Sequence, residues 1–234
     1  MAWDKKVPYK SKEPLTALDN DKLHLLTPSA KEPGKNARLT VRFVKNSPWL
    51  KVWTADPEDK AKERASDYGS IYAKMDLIVW DMFIKTLRNM ANSQALDVRD
   101  KISNLGYTWY NKVKSDTPVL MSETWVGKDK EGMVFISVIA KDRPRIKFIF
   151  DGRFHGFHNI VHGDGTDYTD QEKSVIHALS WVDTIDSIIK TMITTHFFDK
   201  DAEEIKPAPD GNNHFNSSSS SPNNSADDFE NIPF

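Results

Sequence analysis

The segment RLTVRFVKNSPWLKVWT, residues 38–54, decides the fold class of this chain. Apolar and polar side chains alternate through residues 38–45, which is the period of a β-strand with one buried face. Residues 49–54 alternate in the same way, and Asn46-Ser47-Pro48 between them has the composition of a turn. The segment therefore predicts two antiparallel strands joined in a hairpin.

Further strands and two helices are predicted outward from this hairpin. The strands are expected at residues 70–75, 121–126, 132–140 and 145–151. The first helix begins after Asp76, a residue type that caps helix N-termini, and the second after a capping box formed by Thr169 and Glu172. The second helix is expected to reach about Phe197. Residues 93–117 show no clear period, so no element is predicted there.

The order strands, helix, strands, helix predicts an α+β fold of antiparallel sheets with two long helices. In one interpretation, residues 23–95 and 118–198 form two repeated units, each a sheet followed by a helix. In the other, the strands close into one small barrel of the oligonucleotide-binding (OB) type with an added C-terminal helix. The pattern of the sequence leaves both interpretations open.

Composition excludes several classes of protein. The chain has 234 residues and no cysteine, which excludes disulfide scaffolds, thiolate zinc sites and cysteine nucleophiles. No stretch approaches the roughly 18 apolar residues of a membrane-spanning helix. The first residues, MAWDKK, lack the apolar run of a secretory signal. We therefore expect a protein of a reducing compartment, without membrane association.

Charge divides the chain into two parts. From Asp199 onward there are eight acidic and two basic residues, whereas residues 1–198 carry thirty basic and twenty-six acidic residues. Residues 199–226 are rich in Ser, Asn and Pro, and a segment of this composition cannot bury enough apolar surface to become ordered. We predict a flexible N-terminal arm at 1–22, a folded binding domain at 23–198, a disordered linker at 199–226 and an acidic tip at 227–234.

One predicted sheet face combines aromatic and cationic side chains. Trp49, Lys51 and Trp53 share one side of their strand, and no acidic residue occurs between Arg38 and Ala55. Flat rings stack on unpaired bases and cations contact phosphates, so the pattern favours binding of single-stranded nucleic acid without sequence preference. An ordinary solvated sheet face would produce the same pattern. The candidate binding residues are Arg38, Arg42, Trp49, Lys51, Trp53, Tyr72, Lys74, Arg145 and Lys147.

The chain ends in DDFENIPF, an acidic stretch closed by two apolar residues around a proline. A terminal Phe offers a ring and a carboxylate together, which an apolar pocket beside an Arg can hold. Pro233 restricts the conformations of the tip and lowers the entropy lost on docking, while the acids add attraction toward a basic rim. The predicted protein-interaction residues are Asp227, Asp228, Phe229, Glu230, Ile232, Pro233 and Phe234.

This tip resembles the acidic C-terminal tip of bacterial single-stranded DNA-binding proteins, which end in Asp-Asp-Asp-Ile-Pro-Phe after a polar linker. The last three residues are identical, whereas Glu230 and Asn231 stand where the family has two Asp, so one charge is missing. The resemblance implies a non-enzymatic protein of the bacterial cytoplasm. It would coat DNA, recruit replication, recombination and repair proteins through its tip, and let the tip compete with DNA for the basic face.

The folded part is longer than in the usual bacterial proteins of that family and looks more like a bacteriophage-encoded counterpart. Its strand–helix repeat is similar to the Whirly and transcription-cofactor type of single-strand binder, which we rank above the barrel. Neither resemblance fixes the preference between DNA and RNA, the length of strand covered or the oligomeric state, so a homo-oligomer is left open.

A histidine-rich segment supplies the alternative function, a metal-dependent nuclease. Imidazoles and carboxylates build zinc or manganese sites, and His155, His158 and Asp164 are close in sequence. The segment lacks the spacing of a calcium-binding loop, and the chain has no P-loop, GxGxxG or GxSxG motif. We therefore predict no cofactor, no metal site and no enzymatic activity.

Overall fold

Two four-stranded antiparallel sheets and two α-helices are the main elements of the part of the chain that the structure describes. The computed structural model describes residues 16–56, 59, 69–110, 113–141, 143–152, 158 and 160–195. Within these residues the fold is α+β, as predicted. The predicted linker at 199–226 and tip at 227–234 lie outside the described residues.

The first sheet consists of four strands in chain order, followed by a helix. They are β1 (Leu25–Pro28), β2 (Asn36–Val44), β3 (Ser47–Trp53), β4 (Ser70–Lys74) and α1 (Leu77–Asn92). The predicted hairpin and the strand at 70–75 are confirmed. The turn differs from the prediction, because it is formed by Lys45 and Asn46 with φ of 49° and 64°, while Ser47 and Pro48 already belong to β3. Two positive φ angles suit the two-residue turn that matches the twist of a hairpin.

A small hairpin and the second sheet follow. In chain order they contain β5 (Val98–Gly106), β6 (Trp109–Tyr110), β7 (Val113–Lys114), β8 (Val119–Lys128), β9 (Val134–Ile139), β10 (Ile146–Ile149) and the helix α2 (Asp170–Thr195). The sheet has the order β5-β8-β9-β10, so it repeats the up-and-down path of the first sheet. The last three predicted strands correspond to β8, β9 and β10. The first three strands of this region fall in residues 93–117, for which the sequence predicts no element.

Both helices begin at the predicted capping residues. The Asp76 carboxylate accepts a hydrogen bond from the Val79 N–H at 2.7 Å. At α2 the Thr169 N–H donates to the Glu172 carboxylate at 2.8 Å, and the Glu172 N–H donates to the Thr169 hydroxyl at 3.3 Å. These bonds satisfy N–H groups that lack a partner inside the helix, and they confirm the capping box.

One hydrophobic core joins the two sheets and the two helices. α1 contacts β3 of the first sheet as well as β5 and β8 of the second, and α2 contacts both β2 and β9. The Arg88 guanidinium of α1 donates to Asp183 and Asp186 of α2 at 2.9 and 3.2 Å, which links the helices beside the core. The two strand–helix repeats therefore share one interior.

Two expectations change with the structure. The described strands form two open sheets, and among them no ladder closes a barrel, so the OB-type alternative is not supported. The predicted flexible arm also contains folded residues, because Ala17–Asp19 and Asp21–Leu23 form short 3-10 helices. Leu18 is buried in the core, and the Trp181 indole N–H donates to the Leu23 carbonyl at 2.8 Å. Helices of three residues are too short to produce a hydrophobic period, which is why the sequence does not reveal them.

Candidate nucleic-acid interface

The outer face of the first sheet presents alternate side chains of β2, β3 and β4. Leu39, Leu50 and Val52 on the inner face are fully buried, and this burial fixes the register of the strands. Pairing then aligns the outer positions in three rows: Arg38–Trp53–Ser70, Thr40–Lys51–Tyr72 and Arg42–Trp49–Lys74. Seven of the nine predicted binding residues thus lie on one surface, which we call the first-sheet face.

Cations and rings contact one another on the first-sheet face. The Lys51 ammonium lies 3.9 Å from the Trp53 ring centroid, and the Lys74 ammonium lies 4.5 Å from the Trp49 centroid. Tyr72 is exposed and meets Trp49 edge to face, with the centroids 6.1 Å apart. Each indole is therefore held with a positive charge beside it, an arrangement suited to a base and its neighbouring phosphate.

The first-sheet face is electropositive. Strands β1 to β4 contain no Asp or Glu. Asp19 reaches the face from the preceding 3-10 helix and forms an ion pair with Arg42. Because this pair neutralises the guanidinium, we expect Arg42 to contribute least among the four predicted cations of the face.

The remaining two predicted residues, Arg145 and Lys147, lie on the outer face of the second sheet. Pairing aligns one row across it: Lys147, Ser137, Trp125 and Lys101. The charged groups of Arg99, Lys101 and Arg145 all lie between 5.2 and 5.4 Å from the Trp125 ring centroid. We call the outer surface formed by Arg99, Lys101, Trp125, Arg145 and Lys147 the second-sheet face.

Three residues of the second-sheet face are not found by sequence reasoning, namely Arg99, Lys101 and Trp125. β5 is an edge strand whose side chains are exposed or half-buried on both faces, so its pattern does not show which face is covered. The cations of β5 join the site only through the pairing of β5 with β8, which places Lys101 opposite Trp125. For Trp125, the alternation within β8 does indicate an outward position, because the next residue, Val126, is buried on the other side of the strand.

A cavity of about 350 Å³ lies between the first-sheet face and β5. The residues lining it include Trp49, Lys74, Ser103 and Asn104. The Ser122 hydroxyl of β8 also donates to the Tyr72 carbonyl of β4 at 3.1 Å, which joins the two sheets directly. The first sheet therefore meets the second through β4 and β8.

Glu123 of β8 introduces an acid into the second-sheet face. Its carboxylate accepts hydrogen bonds from the Lys101 ammonium at 2.9 Å and from the Trp125 indole N–H at 3.1 Å. The Lys101 bond is the largest contribution that lowers the pKa of Glu123, and the indole bond adds to it. Glu123 is therefore ionised at neutral pH, where it orients Trp125 and offsets the charge of Lys101.

The proposed metal-binding cluster gains no support from the described residues. His155 lies outside them, and His158 is exposed. Asp164 accepts hydrogen bonds from the hydroxyl and the N–H of Thr166 at 2.7 and 2.9 Å, which lower the pKa of Asp164 and close a tight turn. Across the described part of the chain, no group of three or more His, Cys, Asp or Glu side chains is placed to hold a metal ion.

Comparisons of the chain with protein-family models, with curated proteins and with solved structures found no match. None of the helices that the structure describes is long and apolar enough to cross a membrane. The functional interpretation therefore depends on the chemistry of the two sheet faces.

Proposed function

We propose that this chain binds single-stranded DNA without sequence preference and coats it during replication, recombination and repair. The observation that carries the proposal is the first-sheet face, where the strand register intersperses rings with cations. Stacking on such rings contributes about 1–3 kcal/mol per base whatever the base is. Contacts between cations and phosphates are equally independent of sequence.

The combination of rings and cations favours a single strand over a duplex. Cations alone would serve either polymer, because both carry phosphates. Half-exposed rings gain nothing from a duplex, whose bases are already paired and stacked, but they can stack on unpaired bases. A second ring surrounded by cations, Trp125, adds to the contacts that a single strand finds on the first-sheet face.

We also propose that residues 227–234 recruit partner proteins of replication, recombination and repair. This part of the proposal depends on the resemblance of DDFENIPF to the bacterial acidic tip, which also favours a bacteriophage origin and action in the bacterial cytoplasm. Deleting Phe234 should abolish recruitment and leave DNA binding intact. A pull-down from a bacterial extract with and without Phe234, followed by mass spectrometry, measures the first effect.

The two strand–helix repeats support a finer proposal about the fold. Each repeat has four strands in an up-and-down sheet and a helix after the last of them. This is the order expected for the Whirly and transcription-cofactor architecture. An experimental structure with bound DNA tests this relationship, because the strand should run across the outer faces of the sheets.

Titration of the protein with oligothymidine is the decisive experiment for DNA binding. The chain has seven Trp, of which Trp49, Trp53 and Trp125 stand on the two faces, so stacking should quench the fluorescence in a saturable way. The apparent affinity should fall linearly on logarithmic axes as salt rises. A duplex of the same length is the control and should quench weakly.

Single-strand binding would be refuted if oligothymidine caused no saturable quenching and formed no complex in a gel-shift assay at low salt. The same strands, labelled at one end and incubated with magnesium or manganese, test the nuclease alternative. Intact strands are expected, whereas shortened products would establish the alternative.

A further inference from the structure

We propose that the second-sheet face contains a pocket that takes one unstacked base of the bound strand, an inference that rests on the proposed function. The pocket has a volume of about 170 Å³ and opens among β5, β8, β9 and β10. Its lining includes Arg99, Trp125, Phe135, Ser137, Arg145 and Lys147.

Phe135 gives the pocket an aromatic wall that the core does not use. Its side chain is 9% exposed, yet it lies on the outer side of β9 and is not part of the hydrophobic core. The Lys147 ammonium lies 4.6 Å from its ring centroid. A Cβ at the neighbouring Gly127 would come 2.9 Å from the Phe135 ring, so only glycine leaves room for the ring in this position.

Ser137 gives the pocket a polar group that lacks a partner. The residue is 3% exposed, and its hydroxyl has no hydrogen-bond partner among the residues that the structure describes. Buried polar groups in native proteins are nearly always hydrogen-bonded, so an unpaired one at the wall of a pocket points to a ligand or a water. The edges of nucleic-acid bases carry both donors and acceptors that can pair with a hydroxyl.

Charge and size select the class of ligand. The lining contains four cations, Arg99, Lys128, Arg145 and Lys147, against the two acids Asp97 and Asp129. Lys147 is paired with Asp129 at 2.7 Å, and the remaining positive charge disfavours a cationic ligand and attracts an anionic polymer. The aromatic walls would contribute nothing to a bare phosphate. The volume falls below the roughly 300–1,000 Å³ of pockets that hold whole organic ligands, so a complete nucleotide cofactor does not fit. A single base, with its phosphates held at the rim, satisfies all three conditions.

Photochemical cross-linking of the unmodified protein tests this pocket directly. Oligothymidine in which 5-iodouracil replaces thymine is bound to the full chain, irradiated and digested, and the linked peptides are identified by mass spectrometry. We expect cross-links to Trp125 or Phe135 in addition to those on the first-sheet face. Cross-links confined to Trp49, Trp53 and Tyr72 would overturn the pocket while leaving the proposed function in place.

Affinity measurements on variants provide the second readout. Phe135→Leu keeps an apolar side chain but removes the ring, and it should weaken binding of oligothymidine by about fivefold or more, the equivalent of one lost stacking contact. Tyr168→Leu is the matched control, because Tyr168 packs against His162 and belongs to neither face, and it should bind like the parent. Equal affinity of the Phe135 variant and the parent would contradict the pocket.

Free thymidine monophosphate separates a base carried by a strand from a free nucleotide. It should compete weakly, because it lacks the contacts of the neighbouring nucleotides. Saturation of the pocket by the monophosphate, together with no cross-link from the strand, would overturn the proposal. Failure of oligothymidine to bind at all would overturn both the pocket and the proposed function.

Discussion

Trp53 and Lys51 are neighbours on the first-sheet face and allow the two kinds of contact to be separated. Trp53→Leu removes a stacking surface, so affinity for oligothymidine should fall by about fivefold to a hundredfold, with an unchanged salt slope. Lys51→Met removes one phosphate contact and should reduce the slope of log affinity against log salt by about one. Fluorescence anisotropy of a labelled strand over a salt series measures both quantities.

Leu26→Ala is the matched control for these two variants. Leu26 pairs with Arg38 at the edge of the same face and is exposed, but it offers neither a ring nor a charge. It should therefore leave both the affinity and the slope unchanged. If Trp53→Leu is as silent as the control, the strand does not cross this face.

We expect Glu123 to oppose DNA binding, and a single substitution tests this. Glu123→Gln keeps an acceptor for the Trp125 indole but removes the charge that holds Lys101, so affinity at low salt should rise about twofold to fivefold. The gain should vanish at high salt, where charges are screened. The Lys101 hydrogen bond lowers the pKa of Glu123, so the carboxylate keeps its charge as the pH falls from neutral. The parent should therefore gain affinity from protonation of Glu123 only when the pH falls below the ordinary pKa range of a glutamate. Weaker binding by the variant would assign Glu123 a supporting role instead.

Single residues of the site could be predicted where one strand contains the whole pattern. Trp49, Lys51 and Trp53 alternate within β3, and the burial of the intervening side chains is visible in the sequence. The second-sheet face depends on pairings between strands that are distant in sequence, such as Lys101 with Trp125. Its cluster therefore becomes visible only once the ladder is known. The pairing of Arg42 with Asp19 is hidden for the same reason.

At the scale of elements, Lys128 connects β8 with the C-terminal end of α1. Its ammonium donates to the Ala91 carbonyl at 3.1 Å and also to the Ser93 carbonyl, and burial lowers the pKa of Lys128. Lys128→Met fills the same space but leaves these carbonyls without a donor. We expect a free energy of unfolding lower by about 1–3 kcal/mol, measured by urea denaturation followed by circular dichroism.

Lys130→Met is the control for this capping contact. Lys130 lies two residues further on, is largely exposed and, within the described residues, forms an ion pair with Glu131 at 3.5 Å, so its loss should change stability by less than about 0.5 kcal/mol. Equal stability of the two variants would show that desolvation of the Lys128 ammonium offsets its hydrogen bonds.

Elements were predictable where one side is buried and the ends are marked. β2, β3 and β4 have one buried face, and α2 has a capping box before it, so the period and the boundary both appear in the sequence. β5 shows neither signal, because it is an edge strand with exposed or half-buried side chains throughout. Its place in the sheet is set by its partner β8, and a single sequence does not contain that information.

At the scale of the whole molecule, charge is divided between the acidic residues from 199 onward and the basic remainder. Deleting residues 199–234 changes the formal net charge from −2 to +4. An acidic segment attached to the same chain competes with phosphate at a high effective concentration, so its removal should raise affinity on the order of tenfold at low salt. The difference should disappear near 1 M salt, where the screening length is about 3 Å. Deletion of Phe234 alone is the control, because it leaves the formal charge of the side chains unchanged and should not alter DNA binding. The electrostatic explanation would be refuted if both deletions raised the affinity equally. It would also be refuted if deletion of residues 199–234 did not raise the affinity.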